Sequence, residues 1–100
     1  MSGETIQTTI EHALDAHAAL GELGEEIEDE WSYVTDLVEA WRKRLAEVAT
    51  ARGTQQASPE SSAAVDRAID EIGLITDPHR AIDWLSTFPQ VVLLALGERP

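Results

Sequence analysis

The chain has 100 residues, of which 43% are hydrophobic and 26% are charged, a composition typical of one globular domain rather than a disordered segment. The formal net charge is −12 and there is no cysteine, which excludes disulfide and thiolate chemistry and disfavours direct binding to nucleic acid. No apolar run approaches the length of a membrane helix and no leader is recognisable, so we expect a cytoplasmic protein with no membrane partner.

The negative charge is concentrated in the first half of the chain. Residues 1–40 carry eleven acids and no Lys or Arg, whereas residues 41–54 carry four bases against one acid. Residues 55–100 carry seven acids and three bases. A surface charged in this way attracts basic partners.

The first half of this chain shows the periodicity of α-helices. An apolar frame starts at Ile6 and reaches Leu20, and a second one predicts a helix over residues 25–51. The second frame is a heptad seam with alternating spacings of four and three residues, as in a coiled coil, and Leu37 widens it on one side. We expect the seam in the core or at a subunit interface; it consists of Ile27, Trp31, Val34, Val38, Trp41, Leu45 and Val48.

Two glycines, Gly21 and Gly24, separate these segments without changing the heptad phase. A preserved phase favours a continuous or kinked helix, because a hairpin has no reason to keep it across its turn. Either glycine could instead end the first helix in a left-handed conformation, which leaves a hairpin open. The continuous or kinked helix is the preferred prediction.

The C-terminal half contains a polar loop at about residues 52–58 and two helix starts. Ser58–Pro59 and Asp77–Pro78 each combine a capping residue with a proline in the first helical position. The first start predicts a helix over 59–72 that stops at Gly73, and the second predicts a short helix that Pro89 breaks or kinks. Residues 91–96, VVLLAL, are predicted to form a helix after the proline, with a strand as the alternative.

These elements predict one all-α domain over residues 1–100. A long N-terminal helical segment, kinked or folded as a hairpin, is packed by two or three shorter C-terminal helices. The seam with its two tryptophans and the apolar run at 91–96 together exceed what one chain of this size is expected to cover. We therefore expect a homodimer or a higher homo-oligomer.

The acidic stretch between residues 21 and 31 is the main candidate for a functional site. Carboxylates three residues apart share a helix face and can hold Mg²⁺ through oxygen ligands, as in all-α nucleotide pyrophosphohydrolases, which add a second acidic pair on another helix. This chain shows no convincing second pair, so Mg²⁺-dependent hydrolysis remains an alternative. The preferred interpretation is an acidic face that docks a basic protein; it consists of Glu22, Glu25, Glu26, Glu28, Asp29 and Glu30.

No other pattern indicates catalysis. His12 and His17 are five residues apart and do not share a helix face, and His79 lacks an acid at the spacing of helical metal sites. We therefore predict no catalytic residue, no metal ligand and no cofactor. The expected function is a non-enzymatic interaction module, in its sharpest form an inhibitor or regulator that imitates nucleic acid; a scaffold subunit of a larger assembly is a further alternative.

Overall fold

The computed structural model describes residues 4–99, which form four α-helices: α1 (Ile6–Gly24), α2 (Glu28–Arg52), α3 (Pro59–Gly73) and α4 (Pro78–Ala95). Within these residues no strand forms, and the one bridge pairs Thr5 with Gln56. The all-α prediction is confirmed. Residues 1–3 and 100, the ends of the predicted domain, lie outside the described part.

Three of the four helices begin with a side chain that caps the first turn. The hydroxyl of Ser58 accepts a hydrogen bond from the amide of Ser61, and the carboxylate of Asp77 accepts one from the amide of His79. Both starts were predicted from the sequence, whereas the cap of α1 by Thr5 was not. Helix α2 has no capping side chain at Ile27, but its first turn holds three acids that the helix dipole favours.

Helices α1 and α2 form an antiparallel hairpin, so the preferred prediction of a continuous or kinked helix is wrong. The amide of Gln7 donates to the carbonyl of Gly53 at 3.1 Å, which places the start of α1 beside the end of α2. The turn consists of residues 25–27, and the amide of Glu25 donates to the carbonyl of Gly21. The preserved heptad phase across these residues therefore does not reflect continuity of the helix.

Gly21 and Gly24 serve close packing rather than the turn itself. Neither has positive φ, since Gly97 is the only residue between 4 and 99 that does. A Cβ on Gly21 would lie 2.7 Å from Nη2 of Arg42, and one on Gly24 would lie 3.2 Å from Cδ1 of Leu85. The missing side chains let α2 and α4 approach the end of α1 closely.

Helix α4 continues through Pro89 to Ala95, so the predicted break at this proline is wrong and the predicted helix beyond it is confirmed. Two residues after the end of the helix comes Gly97, whose φ of 78° suits glycine. The amide of Glu98 donates to the carbonyl of Leu93 and the amide of Gly97 to that of Leu94. These two bonds form a Schellman motif, which satisfies carbonyls at the end of the helix.

Helix α4 packs against all three other helices, whereas α2 and α3 do not contact each other in the described part of the chain. The core lies around Phe88, Leu85 and Leu93 of α4, with Ile10 of α1 and Leu45 of α2 fully buried against them. Because Glu30 pairs with His79 and Arg52 bonds the carbonyl of Leu96, α2 and α4 run parallel. The α1–α2 turn and the start of α4 thus share one end of the bundle.

Candidate functional site

The six acids of the candidate docking face lie at this end of the bundle, and all six are exposed. Glu22 is in the last turn of α1, Glu25 and Glu26 lie in or beside the turn, and the other three open α2. The hairpin therefore gathers them around a single turn instead of spreading them along one helix. We call these six residues the acidic face.

The acids of this face differ in their relation to the helix dipoles. Glu28, Asp29 and Glu30 occupy the N-terminal turn of α2, where negative charge stabilises the helix. Glu22 lies in the last turn of α1, where negative charge is unfavourable, and Glu25 and Glu26 lie between the two helix ends. The first three therefore have a structural reason to be acidic, whereas Glu22 has none of this kind.

Among residues 4–99 the acidic face has one ion pair. Nδ1 of His79 lies 3.0 Å from Oε2 of Glu30, with both side chains well exposed. Such a pair contributes little stability and depends on protonation of the histidine. The other five carboxylates stay in solvent.

The three arginines of residues 41–54 are used elsewhere and do not neutralise the face. Arg44 and Arg52 both pair with Glu98 at the opposite end of the bundle. Arg52 also donates to the carbonyl of Leu96 at the end of α4, where a cation is favoured by the helix dipole. Arg42 is directed into the interface between α1 and α2.

Arg42 forms part of a buried polar network that holds three helices together. Its Nε donates to Nδ1 of His17 at 3.4 Å and its Nη2 donates to the carbonyl of the same residue at 3.2 Å. Nε2 of His17 lies 2.8 Å from the carbonyl oxygen of Leu85 in α4. Because a carbonyl only accepts and the arginine only donates, His17 is the neutral tautomer with its proton on Nε2.

The environment of His17 favours this neutral form. The side chain is completely buried and its ring stacks on Phe88, with the ring centres 6.1 Å apart. Burial lowers the pKa of His17 below its ordinary value, the hydrogen bond to Leu85 opposes this, and the charge of Arg42 lowers the pKa further.

The heptad seam faces the core formed by this same chain. Val38, Leu45 and Val48 are buried, and Trp31, Val34 and Trp41 are half-buried and pack on the same core. Ile27 is half-buried at the start of α2. Leu37, expected to widen the seam, is 42% exposed instead. Residues 91–96 are also mostly covered, with only Leu94 exposed.

The geometry of the described residues gives little support to metal chemistry. No three His, Asp or Glu side chains of residues 4–99 converge as a metal site would require. None of the four best-formed clefts in this part of the chain is lined by a residue of the acidic face. The six exposed carboxylates therefore line none of these clefts, an arrangement that suits contact with another macromolecule better than enclosure of a small substrate.

None of the four helices is both long enough and apolar enough to cross a bilayer, as judged over residues 4–99. In comparisons with known proteins, no family model matches the chain, and neither a curated protein nor a solved structure shows significant similarity to it.

Proposed function

We propose that this protein is a non-enzymatic interaction module whose acidic face docks a basic protein surface. The observation that supports the proposal is the set of six exposed carboxylates around the turn between α1 and α2, with a single exposed ion pair to them from residues 4–99. Of the chain's own bases, Arg44 and Arg52 are engaged at the other end of the bundle and Arg42 between α1 and α2. A partner with clustered Lys and Arg would supply the missing countercharge.

The sharpest form of the proposal is an inhibitor or regulator of a protein that binds DNA or RNA. Such proteins present basic surfaces that recognise phosphates largely through charge, so a compact acidic surface can compete for them. Direct binding of nucleic acid by the protein itself is disfavoured by its charge of −12. We place this activity in the cytoplasm.

The Mg²⁺-dependent hydrolase and the scaffold subunit remain weaker alternatives. The hydrolase lacks a converging set of metal ligands in residues 4–99. A titration with Mg²⁺ tests it directly, because a saturable site of millimolar affinity or better, abolished by neutralising the acidic face, would favour the enzyme. No feature of the bundle favours the scaffold over the docking module.

The test of the docking proposal compares two variants of equal net charge. The acidic-face variant carries Glu25→Gln, Glu26→Gln and Asp29→Asn. The control variant carries Glu11→Gln, Glu47→Gln and Asp83→Asn, three exposed acids outside the face. We expect immobilised wild-type and control proteins to capture the same basic proteins from a host lysate, and the acidic-face variant to lose them. Equal capture by both variants would contradict the proposal.

A further inference from the structure

A second surface feature lies between α1 and α3 and adjoins the acidic face, since its lining residue Leu23 follows Glu22 in α1. It is an open groove of about 210 Å³ lined entirely by apolar side chains and one glycine. Leu20 and Ile72 are buried at its floor. Its more accessible lining consists of Ala16, Ala19, Leu23, Ile69, Gly73 and Ile75.

The groove exists because the helices present small residues to each other. Ala16 and Ala19 are three residues apart on α1, and Gly73 ends α3. A Cβ on Gly73 would have no atom within 4 Å, and the residue does not have positive φ. The space beside Gly73 is therefore unfilled, and because this residue lines the groove, we expect a larger side chain there to enter it without backbone strain.

Acids flank the groove on both sides. On α1, Asp15 and Glu22 are the sequence neighbours of the lining residues Ala16 and Leu23. On α3, Asp66 and Asp70 each precede a lining residue by three positions, so they lie on an adjacent part of the helix surface. All four acids are exposed.

Bases are scarce around the groove. Helix α1 contains no Lys or Arg, and Arg67, the one such residue of α3, lines a different cleft together with Val91 of α4. An apolar floor between acidic rims is complementary to a segment that is apolar on one side and basic on the other. A second copy of this chain would instead bring acid against acid, which is unfavourable.

We propose that this groove receives an amphipathic, basic helix of the partner. A large apolar side chain of that helix enters between α1 and α3, while its Lys or Arg residues face the four flanking acids. This is the helix-in-groove mode of peptide recognition. The apolar anchor contributes affinity, and the charges speed association and orient the bound helix. The inference rests on the proposed function and names the kind of segment that the basic partner contributes.

The test uses a labelled peptide of leucine and lysine, with the leucines at helical spacing, and a second peptide in which the leucines are glutamine. Gly73→Leu fills the groove, and Ala63→Leu adds the same side chain at an exposed position of α3 outside the groove lining. Thermal unfolding of both variants verifies the fold. If Gly73→Leu unfolds, Ala19→Phe replaces it, because Ala19 is exposed at the rim.

We expect the wild type and Ala63→Leu to bind the leucine peptide equally, and Gly73→Leu to bind it about tenfold more weakly, as for loss of one buried apolar side chain. The groove proposal would be overturned if Gly73→Leu bound the leucine peptide as tightly as the wild type does. It would also be overturned if the wild type bound the glutamine peptide as tightly as the leucine peptide. If the acidic-face variant nevertheless bound the leucine peptide more weakly than the wild type, the docking proposal would be supported without the groove. Absence of binding by either peptide to the wild type would contradict both.

Discussion

His17 donates the hydrogen bond that Pro89 cannot make to the carbonyl of Leu85. In an uninterrupted helix this carbonyl would accept from the amide of residue 89, four positions on, but proline has no amide hydrogen. Nε2 of His17 lies 2.8 Å from the same oxygen. A side chain from α1 thus supplies the hydrogen bond that this carbonyl of α4 would otherwise lack, which explains why the helix continues through a proline.

This replacement hydrogen bond predicts that His17 and Pro89 are coupled energetically. We expect His17→Ala to lower the free energy of unfolding by about 2–4 kcal/mol, because it leaves a buried carbonyl unsatisfied and opens a cavity. In a Pro89→Ala background the alanine amide can bond the carbonyl, so the same histidine substitution should cost less. Urea unfolding of the two single variants and the double variant measures the coupling.

The exposed His12 is the matched control for this cycle. We expect His12→Ala to change the free energy of unfolding by no more than about 0.5 kcal/mol, the usual range for a surface substitution. Strict additivity of His17→Ala and Pro89→Ala would show that the histidine and the proline act independently.

The lowered pKa of His17 predicts a loss of stability in mild acid. At pH values well above 6.5 the residue is neutral in both the folded and the unfolded states, so its contribution is complete. As the pH falls below 6.5 the unfolded chain binds a proton that the folded protein resists, and the free energy of unfolding decreases until the lower folded pKa is reached. His17→Gln does not titrate, so its stability should fall less steeply between pH 7 and 5; identical slopes would contradict the assignment.

The glycines of α1 and α3 predict opposite outcomes for the same substitution. Gly73→Ala should raise the free energy of unfolding by about 0.5–1 kcal/mol, because alanine favours the helix and meets open space. Gly21→Ala gains the same propensity but pushes a methyl group against Arg42 and Trp31, at 2.7 and 3.3 Å. We expect it to destabilise the protein by displacing the arginine from His17. Equal stabilisation by both substitutions in thermal unfolding would refute this account.

The sequence was sufficient to predict the helical class and the starts of α3 and α4, because capping residues and prolines act within one turn. It was not sufficient to predict the hairpin. The turn at residues 25–27 has no glycine with positive φ and no capping side chain, and Gly21 and Gly24 matter through contacts with distant residues. Such tertiary contacts leave no periodic signal in the neighbouring sequence.

Two further features were missed for the same reason. Pro89 indicated a break because its local effect is unfavourable, and only the fold brings His17 to the exposed carbonyl. The acidic face was visible as a run of acids, whereas the groove depends on Ala16 and Ala19 of one helix meeting Gly73 of another. A pair of alanines three residues apart is too common in helices to have indicated it.

The homo-oligomer expected from the sequence is untested, and the structure removes both reasons for expecting it. The seam and most of residues 91–96 are covered by the chain itself. We now expect sedimentation at tens of micromolar to give a monomer. A dimer would indicate that the apolar side chains still exposed on α2 and α4, Tyr33 and Leu94 among them, form an interface.

The most direct test of the docking proposal is the rate at which the leucine–lysine peptide associates with the wild type, the acidic-face variant and the control variant. We would measure this rate by stopped-flow fluorescence over a range of salt concentrations. Charge-driven docking predicts that the acidic-face variant (Glu25, Glu26, Asp29) associates several-fold more slowly than the control variant at low salt. The difference should vanish as salt screens the charges, since the screening length is about 8 Å near physiological ionic strength. Equal association rates for the two variants at every salt concentration would contradict the acidic face as the docking site.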